Sequence, residues 1–163
     1  MDNEGLNQYL TEKGYESVVV FENPSYADAF IGISNDDRVI YDYDKMIECL
    51  INEDGMTVED AMEFIDYNTI RAIPYYPNAP IVMYPYDEDI CTIFQDNEEI
   101  ERLLKKKQQL SIDDAFVGTS HNYDLIYDYD KIVNCLGNEN IEQCIKEFID
   151  NDSIIIMYPN KEQ

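Results

Sequence analysis

Ala29 to Leu50 reads AFIGISNDDRVIYDYDKMIECL, and Ala115 to Leu136 reads AFVGTSHNYDLIYDYDKIVNCL. Laid over each other from Ser25 to Leu50 and from Ser111 to Leu136, at a constant offset of 86, the stretches agree at 14 of 26 positions, including the whole Ile-Tyr-Asp-Tyr-Asp-Lys run. That density of identity at one spacing is an internal duplication, and the rest of the chain precedes, follows or separates the two copies.

Within the first copy, Ala29 to Ser34 reads as a strand, Asn35, Asp36 and Asp37 as turn chemistry, and Arg38 to Tyr43 as a second strand with Val39, Tyr41 and Tyr43 on one face. Asp44 is placed to cap the following helix, which carries Ile47, Leu50 and Ile51 at helical spacing and stops at Gly55. Thr57 opens a second helix with Ala61, Phe64 and Ile65 along one side. An irregular segment from Arg71 to Pro80 leads to a closing strand, Ile81 to Tyr84, ended by Pro85. The second copy repeats the order with strands at Ala115 to Ser120 and Asp124 to Tyr129, a helix from Asp130 to about Leu136, a helix near Ile141 to Ile149 and a strand at Ile154 to Tyr158. It is about ten residues shorter after its second helix, where the Tyr- and Pro-rich loop of the first copy has no counterpart. Loops are where function tends to be added.

Ahead of the first copy, Leu6 to Lys13 has a short helix pattern ended by Gly14, and Ser17 to Phe21 reads as a buried strand. Between the copies, Cys91 to Phe94 is strand-like and Glu98 to Leu110 is an amphipathic helix, acidic at its start and basic in its last turns. These readings predict an α+β protein of two tandem ββααβ-type repeats packed together, with an N-terminal helix and strand and a linker helix. Residues 1–90 form the first repeat with its extension, 91–110 the linker and 111–163 the shortened second repeat.

Composition narrows the function. With 45% apolar residues the chain has the material for a core, and 163 residues suit two small modules sharing one. Eleven Lys and Arg face 35 Asp and Glu, a net charge of −24, so phosphate backbones and anionic membrane surfaces are repelled and basic partners are favoured. The excess is uneven: residues 1–90 hold 4 basic and 20 acidic side chains, residues 91–163 hold 7 and 15. Solubility is the bland account of such acidity. No apolar window long enough for a signal peptide or a membrane span occurs, which predicts a cytosolic protein. The four cysteines form no Cys-x-x-Cys pair and read as buried reduced thiols, with Cys49 and Cys135 at matching positions.

Catalysis has little to stand on. The one histidine, His121, falls in the turn where the first copy has Asn35 and reads as a tolerated loop residue. Nucleotide-binding glycine loops, zinc-protease motifs and serine elbows are absent from the sequence. Asp42-Tyr-Asp44 and Asp128-Tyr-Asp130 offer paired carboxylates, yet Lys45-Met46-Ile47 supplies none of the further ligands a calcium loop needs. No enzyme activity, cofactor or metal is expected. The remaining candidate is a surface of spaced carboxylates facing a Lys and Arg groove on another protein, with fast, electrostatically steered association. Asp36, Asp37, Asp42, Glu48, Glu53, Asp54, Glu59, Asp60 and Glu63 form a dense run along the first copy, and Asp87, Glu88 and Asp89 add another.

The string FENPSYADAFIGISNDDRVIYDYDKMIECLINEDGMTVEDAMEFIDYNTIRAIPY, Phe21 to Tyr75, resembles a small acidic domain family of phages, prophages and mobile elements of low-GC bacteria. That family includes anti-CRISPR proteins directed at type II-A Cas9. The resemblance is dense over residues 5–85, weaker over the second copy, and transfers no catalytic residue. It implies a non-enzymatic inhibitor in the bacterial host cytosol. The acidic face would meet the nucleic-acid channel of a CRISPR effector nuclease or its guide complex, without direct nucleic-acid binding by this chain. The alternative is a general protein–protein interaction module of a mobile element, acidic for solubility alone. The oligomeric state stays open.

Overall fold

The computed structural model describes residues 1–86, 113–136, 141–149 and 154–160. Helix α1 (Asn3–Glu12) is followed by a hairpin of β1 (Phe30–Ser34) and β2 (Val39–Asp42), two helices α2 (Tyr43–Asp54) and α3 (Val58–Phe64), and β3 (Ile81–Pro85). The second half supplies β4 (Phe116–Ser120), β5 (Leu125–Asp128), α4 (Tyr129–Leu136), α5 (Ile141–Ile149) and β6 (Ile154–Pro159).

The six strands form one closed barrel in chain order. The expected pair of tandem ββααβ repeats, each a module packed on the other, is therefore corrected. Strands β2 and β3 pair in parallel, as do β5 and β6, while β3 pairs antiparallel with β4 and β1 antiparallel with β6. Neither half keeps a sheet of its own. Three strands alone would leave two rows of unpaired backbone groups, and closure across the halves satisfies both.

Closure follows from side-chain alternation. Ile40, Ile81, Met83, Ile126, Ile155 and Met157 form one buried cluster inside the barrel, between 0% and 6% exposed. Their strand neighbours Val39, Tyr41 and Val82 point outward into a second cluster with α1, α2 and α3, and Leu125, Tyr127, Ile154 and Ile156 into a third with α4 and α5. Burying each such side chain contributes about 1.5–3 kcal/mol, so the barrel strands are stabilised from both faces.

The seam between the halves needs two glycines. Both hairpins shift register between the Phe and the Gly of Phe30/Gly32 and Phe116/Gly118. A β-carbon on Gly32 would lie 2.4 Å from the Tyr158 carbonyl oxygen, and one on Gly118 would lie 2.2 Å from that of Tyr84. Only a residue without a side chain lets the crossing strands approach that closely.

Turn side chains then clasp the opposite half. The Asn35 amide donates to the Ile156 carbonyl, and its Oδ1 accepts from the Ile156 N–H at 2.9 Å. His121 does the same to Val82, its amide donating to the carbonyl and its Nδ1 accepting from the N–H at 3.2 Å. Each turn also holds one non-glycine residue in the left-handed region, Asp37 at φ 59° and Tyr123 at φ 65°. The Ser34 and Ser120 hydroxyls accept from the Arg38 and Asp124 amides at 2.9 and 3.0 Å and brace those turns.

Several local expectations change. Strand β2 ends at Asp42, and Tyr43 already belongs to α2. The cap is therefore Asp42, whose carboxylate accepts from the Asp44 and Lys45 amides, and Asp128 serves α4 by accepting from the Lys131 amide. Asp44 and Asp130 lie in the first turn of their helices instead. Gly55 closes α2 in the left-handed conformation at φ 67°, and the Thr57 side chain caps α3. Asp42→Ala is expected to cost about 1 kcal/mol of unfolding free energy with an unchanged fold, checked by urea denaturation. Among the described residues Ser17 to Phe21 pairs with no strand, since a closed barrel offers no edge. Instead Val18, Val20 and Phe21 pack on the first-half core, and the Phe21 amide donates to the Tyr41 hydroxyl. Cys49 is buried and reduced, its thiol pushed up to about 11 by burial. Cys135 is exposed, contrary to expectation. The expected linker strand and helix over 91–110 lie outside the described residues.

Candidate functional site

The connection from α3 to β3 is the main asymmetry between the halves. After the matching Phe-Ile-Asp runs Phe64–Asp66 and Phe148–Asp150, the first half uses 14 residues before Ile81, and the second uses four before Ile155. The barrel closes alike in both places, Ile40 opposite Ile81 and Ile126 opposite Ile155. The longer segment is therefore not needed for closure.

Its conformation follows from where its buried residues fall. Ala61, Ile65, Thr69 and Ile73 are buried at a spacing of four residues, wider than the 3.6 of an α-helix. A π-turn over Ile65–Thr69 takes up the difference and keeps all four facing inward, and a 3₁₀ turn, Ile70–Tyr75, ends the run. Thr69 meets the Tyr26 hydroxyl at 3.4 Å, and the Tyr43 hydroxyl donates to Asp66 at 3.2 Å. Burial, with the nearby Asp66 carboxylate second, holds the Tyr43 phenol well above its ordinary range. Tyr43 also packs on Tyr84 at 4.7 Å between ring centroids.

What faces outward is acidic and aromatic. Glu53 and Asp54 are exposed at the end of α2, Glu59, Asp60 and Glu63 on α3, and Asp66 on the π-turn. No ion pair reaches Glu53, Asp54, Glu59, Asp60 or Glu63 among the described residues. Arg71 is the one Lys or Arg between Met46 and Tyr86 in the sequence. Exposed apolar side chains lie in the same stretch: Val58 at 49%, Met62 at 42%, Tyr67 and Tyr76 at 64% and Tyr75 at 84%.

Helix electrostatics divides the carboxylates. Glu59 and Asp60 sit in the first turn of α3, where the helix dipole welcomes negative charge and explains them without a partner. Glu53 and Asp54 sit in the last turn of α2, which holds no basic residue, and there the dipole disfavours them by about 0.5 kcal/mol each. Glu63 lies four residues after Glu59 and three before Asp66, so like charges face each other along the helix.

The other sequence candidates separate from this ridge. Asp36 accepts from the Ser34 hydroxyl and pairs with Arg38 at 2.8 Å, so it braces the β1–β2 turn. Asp37 occupies the left-handed position of that turn, and Asp42 is a half-buried cap. Asp87, Glu88 and Asp89 lie outside the described residues. Asp66, Val58 and Met62 were not singled out by sequence. The spacing of Ala61, Ile65, Thr69 and Ile73 is the signal that finds the ridge, since it carries helix past Phe64 and turns Tyr67 outward.

His121 is more than a tolerated loop residue, because its ring belongs to the barrel seam. Burial first, and the Arg38 guanidinium further, hold it below its ordinary value of 6.5, against an opposing pull from Asp124. The unfolded chain therefore takes up a proton more readily than the folded one. The histidine's contribution to stability is present above about pH 6.5 and is lost as pH falls below it. His121→Asn copies the sister turn, which uses Asn35. We expect near-parental stability at pH 7 and a smaller loss between about pH 7 and about pH 5 than the parent shows, read as urea midpoints. Among the described residues no group of three or more His, Cys, Asp and Glu side chains is gathered to hold a metal.

No family model, curated protein or solved structure matches this chain. No described helix is long and apolar enough to cross a membrane.

Proposed function

We propose that this chain is a non-enzymatic inhibitor from a phage or mobile element. It acts in the bacterial cytosol by covering a basic, nucleic-acid-binding surface of a host defence nuclease, type II-A Cas9 first among them. The observation that carries this reading is the set of exposed carboxylates at Glu53, Asp54 and Glu63, placed where the helices themselves disfavour negative charge. Solubility alone would be served as well by acids at helix starts. Resemblance of Phe21 to Tyr75 to the acidic phage-borne family points the same way. A cationic groove would gain from these acids what the helices lose, and association would be electrostatically steered.

The test is a pull-down from a type II-A CRISPR host, followed by a DNA cleavage assay with the purified nuclease and guide. Capture of the nuclease and dose-dependent loss of cleavage support the reading, and normal cleavage at saturating inhibitor sinks it. A second reading, an adaptor module acidic only for solubility, is favoured by the exposed Tyr67, Tyr75 and Tyr76. It predicts binding that barely responds to salt.

A further inference from the structure

The segment Tyr67 to Pro80 is built to present aromatic rings. Two buried anchors, Ile73 at 7% exposure and Ala79 at 5%, fix it to the first-half core. Pro74, Pro77 and Pro80 restrict its backbone, and the Tyr76 amide donates to the Ile73 carbonyl at 3.1 Å. Between the anchors, Tyr75 and Tyr76 project into solvent. Large aromatic side chains held outward on a restrained backbone lose little freedom on binding, which is one reason tyrosine is common at binding surfaces. The second half closes its part of the barrel without such a segment, so strand closure does not account for it, and the core contacts of Ile73 and Ala79 do not require the outward rings of Tyr75 and Tyr76.

Its chemistry selects the occupant. Arg71 already lies over the Tyr67 ring, 5.0 Å from the centroid, so one tyrosine of this segment stacks a guanidinium within the chain. Two exposed carboxylates, Glu63 on α3 and Asp66 on the π-turn, stand just ahead of Tyr67 in the chain and add negative charge to this side of the first half. A planar cation that can both stack on a ring and donate a forked pair of hydrogen bonds to a carboxylate fits this combination, whereas a lysine ammonium, compact and strongly hydrated, fits less well.

We infer that the Tyr67–Tyr76 stretch is the docking surface for an arginine-bearing segment of a basic protein, with Tyr75 and Tyr76 as stacking platforms and Glu63 and Asp66 as carboxylate partners. This rests on the proposed inhibitor reading and adds to it the kind of side chain that is taken.

The experiment uses the full chain with oligoarginine and oligolysine peptides of equal length, followed by fluorescence anisotropy at two salt concentrations. The parent protein is expected to bind oligoarginine several-fold tighter than oligolysine. Tyr75→Ala/Tyr76→Ala is expected to lose about tenfold toward oligoarginine while keeping its affinity for oligolysine, and Tyr75→Phe/Tyr76→Phe to retain the arginine preference because the ring is what stacks. Equal binding of both peptides by the parent, untouched by the alanine changes but weakened by salt, overturns the arginine surface and leaves the acidic-inhibitor reading standing. Binding of neither peptide overturns both. Circular dichroism of the variants should match the parent, since both rings lie outside the core.

Discussion

Gly118→Val should leave the chain unable to hold its native barrel at ordinary temperature. The first carbon added at this position meets the Tyr84 carbonyl oxygen at 2.2 Å and the Met83 side chain at 3.1 Å. The methionine can turn away, but the carbonyl belongs to β3 and cannot retreat without parting from β4. There Tyr84 pairs with Thr119 and Pro85 with Gly118. Overpacking of a closed core costs about 1–3 kcal/mol where side chains alone adjust, and more where a strand must shift. Set against a total stability of about 5–15 kcal/mol, such a loss is a large share. Gly32→Val should act in kind at the other seam, where Tyr158 takes the place of Tyr84. Urea unfolding checks this: both variants are expected at sharply lower midpoints, whereas an unchanged midpoint would mean that the seams are not closely packed.

The second large effect separates stability from function. Glu53→Lys/Asp54→Lys/Glu63→Lys replaces three exposed acids that no protein cation neutralises among the described residues. Lysines at the end of α2 match the sign of the helix dipole, and a lysine four residues after Glu59 replaces repulsion with attraction. The variant should therefore melt slightly higher than the parent. Its affinity for a cationic groove should fall by roughly 30-fold or more, about 2 kcal/mol. Differential scanning calorimetry and a binding titration on the same samples read both effects. A variant that melts lower would mean that these carboxylates serve the fold, and one that binds as before would mean that they do not meet the partner.

How much of this was legible in the sequence depends on the range of the interaction involved. Turn, cap and helix signals are local, so Gly55 and Thr57 marked the ends of their helices, and the hairpins appeared in both copies within a residue or two. Closure of the barrel depends on contacts between residues far apart in the chain, such as Gly32 with Tyr158 and Asn35 with Ile156. No period or propensity carries those, and two modules were inferred where one barrel exists. Asp42 rather than Asp44 became the cap because β2 yields to α2 one residue early, and element ends are the part of a sequence reading least fixed by local pattern. The acidic run was visible as composition. Its division into turn brace, helix cap and exposed ridge needed the fold, as did the seam role of His121.

Salt dependence of binding is the most direct measurement. With the guide-loaded type II-A nuclease as partner, the dissociation constant of the unmodified protein should weaken by at least tenfold between about 50 mM and about 200 mM salt, as it does where many opposite charges meet. A constant that stays level across that range would show that the exposed acids of α2 and α3 face no cationic groove, and would contradict the inhibitor reading.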